Sequence, residues 1–95
     1  MIYSLKKTVE LITLDNGQSV IFDSESGNTH VLDDIGSEIL TYCNGKNTVS
    51  EISEILAKEY DSARNIIESD IKIFLEDLNT KNVLDSQVDW VYVTN

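Results

Sequence analysis

His30 and Cys43 are the single histidine and the single cysteine of this chain, and between them they hold most of its capacity for nucleophilic or soft-metal chemistry. A Cys–His pair or a metal centre would need further ligands at set spacings. Neither Cys-x-x-Cys nor His-Glu-x-x-His occurs. Asp33-Asp34 could act as an acid–base pair, but two carboxylates just ahead of an apolar run with helical period fit an N-cap better. Gly17, Gly27, Gly36 and Gly45 stand singly, at turns and one helix start, so no phosphate-cradling loop is formed. His30, on a strand, reads as a structural histidine. Cys43, on a helix stripe, reads as a small hydrophobe, and Trp90 as an anchor for the tail. No catalytic residue, metal ligand or cofactor is expected, which leaves a binding module.

Charge narrows the partner. The net charge is −10, with seven basic residues spread along 95 positions. Affinity for nucleic acid comes largely from Lys and Arg neutralising phosphates, and no cluster here provides that footprint. The carboxylates keep the surface solvated and would steer basic partners toward it. Lys6-Lys7 is not followed by a long apolar run, so neither a signal peptide nor a membrane span is expected. The lone cysteine is compatible with a reducing compartment, and a cytoplasmic location is expected. The length suits one domain over residues 1–95, with a core from 8 to 84 and a β-type tail from 85 to 95.

The elements that must carry these residues announce themselves by turns and caps. Thr8–Leu14 and Gln18–Phe22 are β-branched runs around Asp15-Asn16-Gly17, and Asn-Gly between such runs predicts a type I′ hairpin. Asp23-Ser24-Glu25-Ser26-Gly27 turns the chain into Asn28–Leu32, giving a three-stranded meander. Asp33 or Asp34 caps a first helix with Ile35, Ile39, Leu40 and Cys43 on its inner face, stopped at Asn44-Gly45. Thr48-Val49-Ser50-Glu51 is a capping box, opening a second helix with Val49, Ile52, Ile55 and Leu56 inward and an end near Tyr60. Asp61 or Ser62 caps a third helix, to about Thr80, with Ile67, Ile71, Phe74, Leu75 and Leu78 as its core stripe.

That third helix carries a second apolar feature. At ~100° per residue Ile66 and Ile73 share a flank with Asp70 and Asp77. Such a flank is either the edge of a wide core face or one wall of a groove, and spacing alone favours the wide core. Val83-Leu84 closes the core. Val88–Val93 has high β-propensity and is expected as a further strand, on this sheet or on a neighbour's edge.

The order of these elements resembles a known family. The residues carrying the likeness are Val20–Asp23, Ser26–Asp33, Gly36–Leu40, Gly45–Ile52, Leu56–Tyr60, Asp70-Ile71, Phe74–Leu78 and Val83-Leu84. Each is a turn, a cap or a core stripe, but in this order and spacing the set resembles the family of the pyrroloquinoline-quinone biosynthesis protein D. These are the small domains called RiPP recognition elements. The likeness covers residues 8–84. It departs at Leu32-Asp33, where the family often has Leu-Asn, and at Thr29-His30, where the family frequently has aromatics.

The resemblance implies an α+β fold of winged helix-turn-helix type, a three-stranded antiparallel sheet followed by three helices. It also implies a function: binding the leader segment of a ribosomally made precursor peptide and presenting it to a separate modifying enzyme, such as a radical enzyme, a leader protease or a cyclase. In the family the leader adds as a strand to the third strand and lies against the third helix. Carried over, the edge is Asn28, Thr29, His30, Val31 and Leu32, and the helix wall is Ile66, Asp70, Ile73 and Asp77. On this implication the two isoleucines belong to a groove and not to the core.

Two other readings fit parts of the pattern. A winged-helix transcription regulator fits three helices and a wing, but its third helix would have to enter the major groove. Residues 62–80 hold Glu68, Asp70, Glu76 and Asp77 against Arg64 and Lys72, which phosphates would repel. A carrier protein with a modified serine suits the acidity, but carriers are all-helical and the hairpin is not.

Overall fold

The computed structural model describes residues 1–87, so the strand expected over Val88–Val93 lies outside the described residues. In chain order the elements are β1 (Ile2–Leu5), β2 (Val9–Thr13), β3 (Ser19–Asp23), β4 (Thr29–Leu32), α1 (Asp34–Tyr42), β5 (Asn44–Thr48), α2 (Val49–Glu59), α3 (Arg64–Thr80) and β6 (Leu84–Gln87). The expected meander and three helices are all present. A second antiparallel sheet, in the order β5-β1-β6, accompanies the first, β2-β3-β4. The simple succession of three strands and three helices is thus incomplete. β1 lies ahead of the expected core boundary at residue 8 and still buries Tyr3.

The first hairpin closes differently from expectation. A type I′ turn requires positive φ at both Asn16 and Gly17, and of the two only Gly17 has it, at +84°. The Gly17 amide donates to the Leu14 carbonyl at 2.9 Å, and the Leu14 amide donates to the Gln18 carbonyl at 2.7 Å. The loop is therefore three residues, Asp15-Asn16-Gly17, a turn finished by one left-handed glycine. The Asn16 side chain is used instead as an acceptor for the Gln18 amide, at 2.9 Å.

The caps separate the alternatives left open by the sequence. Asp33, not Asp34, caps α1, its Oδ1 accepting the Gly36 amide at 2.7 Å. The Thr48–Glu51 capping box forms in both directions. Neither Asp61 nor Ser62 caps α3. The N-cap is Ala63, with no side-chain bond, because Asp61 is consumed in ending α2. Asp61 has φ +49°, and the Ser62 amide returns to the Ala57 carbonyl at 3.0 Å, a left-handed helix stop. Gly45 also does other work than expected. α1 ends at Tyr42, and the positive φ of Gly45 falls inside β5, where the β1–β5 register shifts by a bulge.

The core joins both sheets to the helices. Tyr3, Val9, Ile21, Leu32, Ile39, Leu40 and Cys43 pack with Val49, Ile52, Leu56, Ile71, Leu75, Leu78, Val83 and Leu84. The buried Ser53 hydroxyl is satisfied by the Val49 carbonyl at 2.7 Å. Two residues assigned inward by periodicity are exposed, Ile35 at the start of α1 and Ile55 on α2. Ile35 lies in the first helical turn, where the chain has just left the sheet and the neighbouring helices do not yet cover it.

Candidate functional site

β4 is an edge strand, paired through β3 and through no other described strand. Its register is Thr29 opposite Phe22, His30 opposite Ile21, Val31 opposite Val20 and Leu32 opposite Ser19. The Asp23 amide donates to the Asn28 carbonyl at 2.9 Å, which makes residues 23 and 28 a hydrogen-bonded pair. Antiparallel ladders alternate such pairs with pairs whose amides and carbonyls turn away. The His30 and Leu32 main-chain groups therefore face β3, while those of Thr29 and Val31 face outward. Thr29 and Val31 offer two donors and two acceptors to an incoming strand.

Side chains alternate as well. Val31 is 64% exposed, and its side chain lies in a cross-strand row with Val20 and Ile12 on the outer face. His30 lies on the opposite face beside Ile21 and is half-buried. Leu32 is 5% exposed and belongs to the core, so of the five expected edge residues it has neither a free side chain nor outward backbone. Asn28 is exposed, with its carbonyl taken by Asp23 and its amide by Ser26 Oγ at 3.2 Å.

On α3, Ile66, Asp70, Ile73 and Asp77 fall within about 60° of helix circumference, and all four are exposed. Ile66 is 57% and Ile73 64% exposed. The wide-core reading of this flank is thereby overturned, since Ile71, Leu75 and Leu78 on the adjoining stripe fill the core. Phe74, half-buried, marks the border between the two stripes. A Cβ placed on Gly36 would stand 3.0 Å from the Phe74 ring. The first turn of α1, which continues β4 through Asp33, thus packs on the middle of α3 beside the exposed stripe. Asp70 and Ile35 line one cavity together, a second link between the stripe and the end of β4.

The surroundings are acidic. Asp77 is paired with Lys81 at 2.7 Å, in an exposed i,i+4 bridge of small energetic worth. Arg64 is held by Glu68 and by the Ser50 hydroxyl. At the end of α2, the neighbouring Glu38 carboxyl raises the pKa of both Glu59 and Tyr60. Burial pushes the Cys43 thiol up to about 12, which suits a packing residue and not a nucleophile. Among the described residues no group of three His, Cys, Asp or Glu could hold a metal ion, and no helix is long and apolar enough to cross a membrane.

Sequence reasoning missed the cavity formed by Ile35, Tyr60 and Ile67, because periodicity assigned Ile35 to the core. It also missed the role of Gly36. The signal available was a glycine inside a helical run, the kind of position where another element approaches closely.

Residues 18–84 match the family model of coenzyme PQQ synthesis protein D (PqqD). The chain is 40% identical over 81 residues to the bifunctional coenzyme PQQ synthesis protein C/D of Methylorubrum extorquens, an alignment covering 76% of this chain and 22% of that protein. It is 35% identical, with a TM-score of 0.78, to the solution structure of the PqqD truncation of Methylobacterium extorquens PqqCD, described as a functional stand-alone RiPP recognition element; 90% of this chain and 89% of that one are covered. TbiB1 in complex with the TbiA(β) leader peptide is 26% identical with a TM-score of 0.78, over 90% and 99% of the two chains.

Proposed function

The chain belongs to the PqqD family, and on that premise we propose that it is a non-catalytic adaptor that binds the leader segment of a ribosomally synthesised precursor peptide. It presents the remainder of that precursor to a separate modifying enzyme, raising the effective concentration of substrate there. It does so in the cytoplasm, and residues 1–95 act as one binding unit.

The observation that carries this reading is the outward edge of β4, unpaired among the described residues, beside an exposed isoleucine stripe on α3. The magnitudes agree with a peptide ligand. Four main-chain hydrogen bonds at roughly 0.5–1.5 kcal/mol net each supply about 2–6 kcal/mol. Covering Ile66 and Ile73, each more than half exposed, adds about 1–2 kcal/mol apiece. The backbone bonds alone would scarcely offset the cost of association. The apolar wall is therefore what converts a sequence-blind edge into a selective one, with pockets for alternate side chains. His30 faces inward from the strand and serves as a lining residue of that site.

DNA binding is the weaker reading. The exposed face of α3 carries Asp70, Glu76 and Asp77, and its Arg64 is already engaged by Glu68 and Ser50. Titration with the leader of a short precursor encoded beside the gene, followed by amide shifts, tests the proposal. Shifts at residues 28–32 and at Ile66 and Ile73 are expected. Shifts avoiding both regions, or tight salt-sensitive binding to random duplex DNA, would overturn it.

A further inference from the structure

At the end of β4 the chain enters α1, and there a cavity of about 250 Å³ opens between three helices. Ile35 and Ile39 of α1, Leu56 and Tyr60 from α2 and its cap, and Ile67 and Ile71 of α3 make it chiefly apolar. Asp70 closes one side. Ile35 and Tyr60 are both exposed, at 52% and 44%, so the cavity is open to an incoming group. It lies beyond the last outward-facing residue of the edge, Val31, and is lined by Asp70 of the exposed stripe. A strand seated on β4 would therefore run toward it at one end.

Asp70 in the lining is acidic, and so are the carboxyls of Glu38, Glu59 and Asp34 that lie near Tyr60. Glu38, one residue before Ile39, has a carboxylate oxygen, Oε2, that is buried and without a hydrogen-bond partner. Its neighbours across the helix junction are Glu59 and Tyr60, and Asp34 lies close enough to Tyr60 to influence it. Among the described residues no lysine or arginine lines the cavity. A buried acceptor left unpaired is costly, and an apolar slot ending in carboxylates fits an occupant that is aliphatic along its length and cationic at its tip.

We propose that this cavity is a specificity pocket for a lysine or arginine side chain of the bound peptide, placed just outside the segment that pairs with β4. The aliphatic stem packs on Ile35, Ile39 and Ile67, and the charged head meets Asp70 and the Glu38–Glu59 rim. The Tyr60 ring offers the stem, or a guanidinium plane, a face to lie on. The inference rests on the leader-docking reading and adds the chemistry that would distinguish one leader from another.

The test uses the full chain as bait for a display library of random 16-residue peptides. Enriched peptides that protect the Thr29 and Val31 amides are expected to carry a Lys or Arg within a few residues of the pairing segment. Replacing it by norleucine weakens binding about tenfold. Asp70→Asn produces a similar loss that is not additive with the first. Ile35→Lys places a like charge at the open mouth and also weakens binding, whereas Ile55→Lys, exposed on α2 and outside the cavity, serves as the control for a general surface effect.

If norleucine binds as well as lysine, the pocket takes apolar anchors and the proposal is wrong. If β4-pairing peptides ignore both Asp70→Asn and Ile35→Lys, the pocket is unused and the proposal fails while leader docking stands. Peptides that bind without protecting Thr29 and Val31 would instead remove the docking reading, and this inference with it.

Discussion

Gly36 and Phe74 meet where the first turn of α1 crosses α3, with the position of a Gly36 Cβ 3.0 Å from the Phe74 ring and 2.9 Å from Asp33 Oδ1. That close approach fixes the end of β4 against the middle of α3, and so sets the separation of the strand edge from the isoleucine stripe. Alanine at position 36 would gain about 1 kcal/mol of helix propensity. It would also press on the ring and on the oxygen that caps the helix, an overpacking worth about 1–3 kcal/mol. Gly36→Ala is therefore expected to lower the urea midpoint of unfolding and to weaken peptide binding; an unchanged midpoint would mean that Phe74 yields freely.

Ile73 is exposed and contributes little to the fold, so Ile73→Asp should leave stability within about 0.5 kcal/mol. It should weaken leader binding by about tenfold or more, through the lost apolar contact and a charge placed in the groove. Calorimetric titration alongside thermal unfolding separates these two quantities.

Val31→Pro tests the strand edge itself. The Val31 amide faces outward, and proline is tolerated at an edge position whose amide is not used by the sheet. The variant should fold with its β3–β4 pairing intact and lose peptide affinity. His30→Pro, by contrast, removes an amide that faces β3 and should destabilise the sheet. Circular dichroism and peptide titration of the pair give the comparison.

Cys43 is buried with its thiol pushed up to about 12, so the native protein should react slowly with a disulfide reagent at neutral pH. Reaction should become rapid in denaturant. Fast labelling of the folded protein would show that this part of the core opens readily.

The Asp23 carboxyl lies below its usual range, chiefly because Oδ1 accepts the Glu25 amide at 3.0 Å, with help from the Thr8 and Ser26 hydroxyls. A depressed folded pKa stabilises the fold above the unfolded value, about 3.9, and that contribution is lost as pH falls through the folded pKa. The turn leading into β4 should thus weaken under acid. Asp23→Asn should narrow the gap between the melting temperatures at pH 7 and pH 3.

Much of this was legible in the residues. Thr48–Glu51 named its own capping box, and the glycines at 17 and 27 marked both turns of the meander. The second sheet was not legible for a physical reason. β1 pairs with β5 and β6, forty or more and about eighty positions away, and no local period records such distant partners. β6, Leu-Asp-Ser-Gln, lacks β-propensity and is held as a strand by its neighbour. The flank at Ile66 and Ile73 marks another limit. Helical spacing gives the angle of a side chain but not what stands opposite, and only the contact of Gly36 with Phe74 shows where the core stripe ends. Ile35 was misplaced for the same reason.

The central claim is that a peptide strand adds to β4, and amide hydrogen exchange with and without a bound leader peptide reads it directly. In the free protein the Thr29 and Val31 amides should exchange quickly and the His30 amide slowly, since His30 is already bonded to β3. Saturating peptide should slow Thr29 and Val31 markedly and change His30 little. Unchanged exchange at Thr29 and Val31 with the peptide bound would contradict the account.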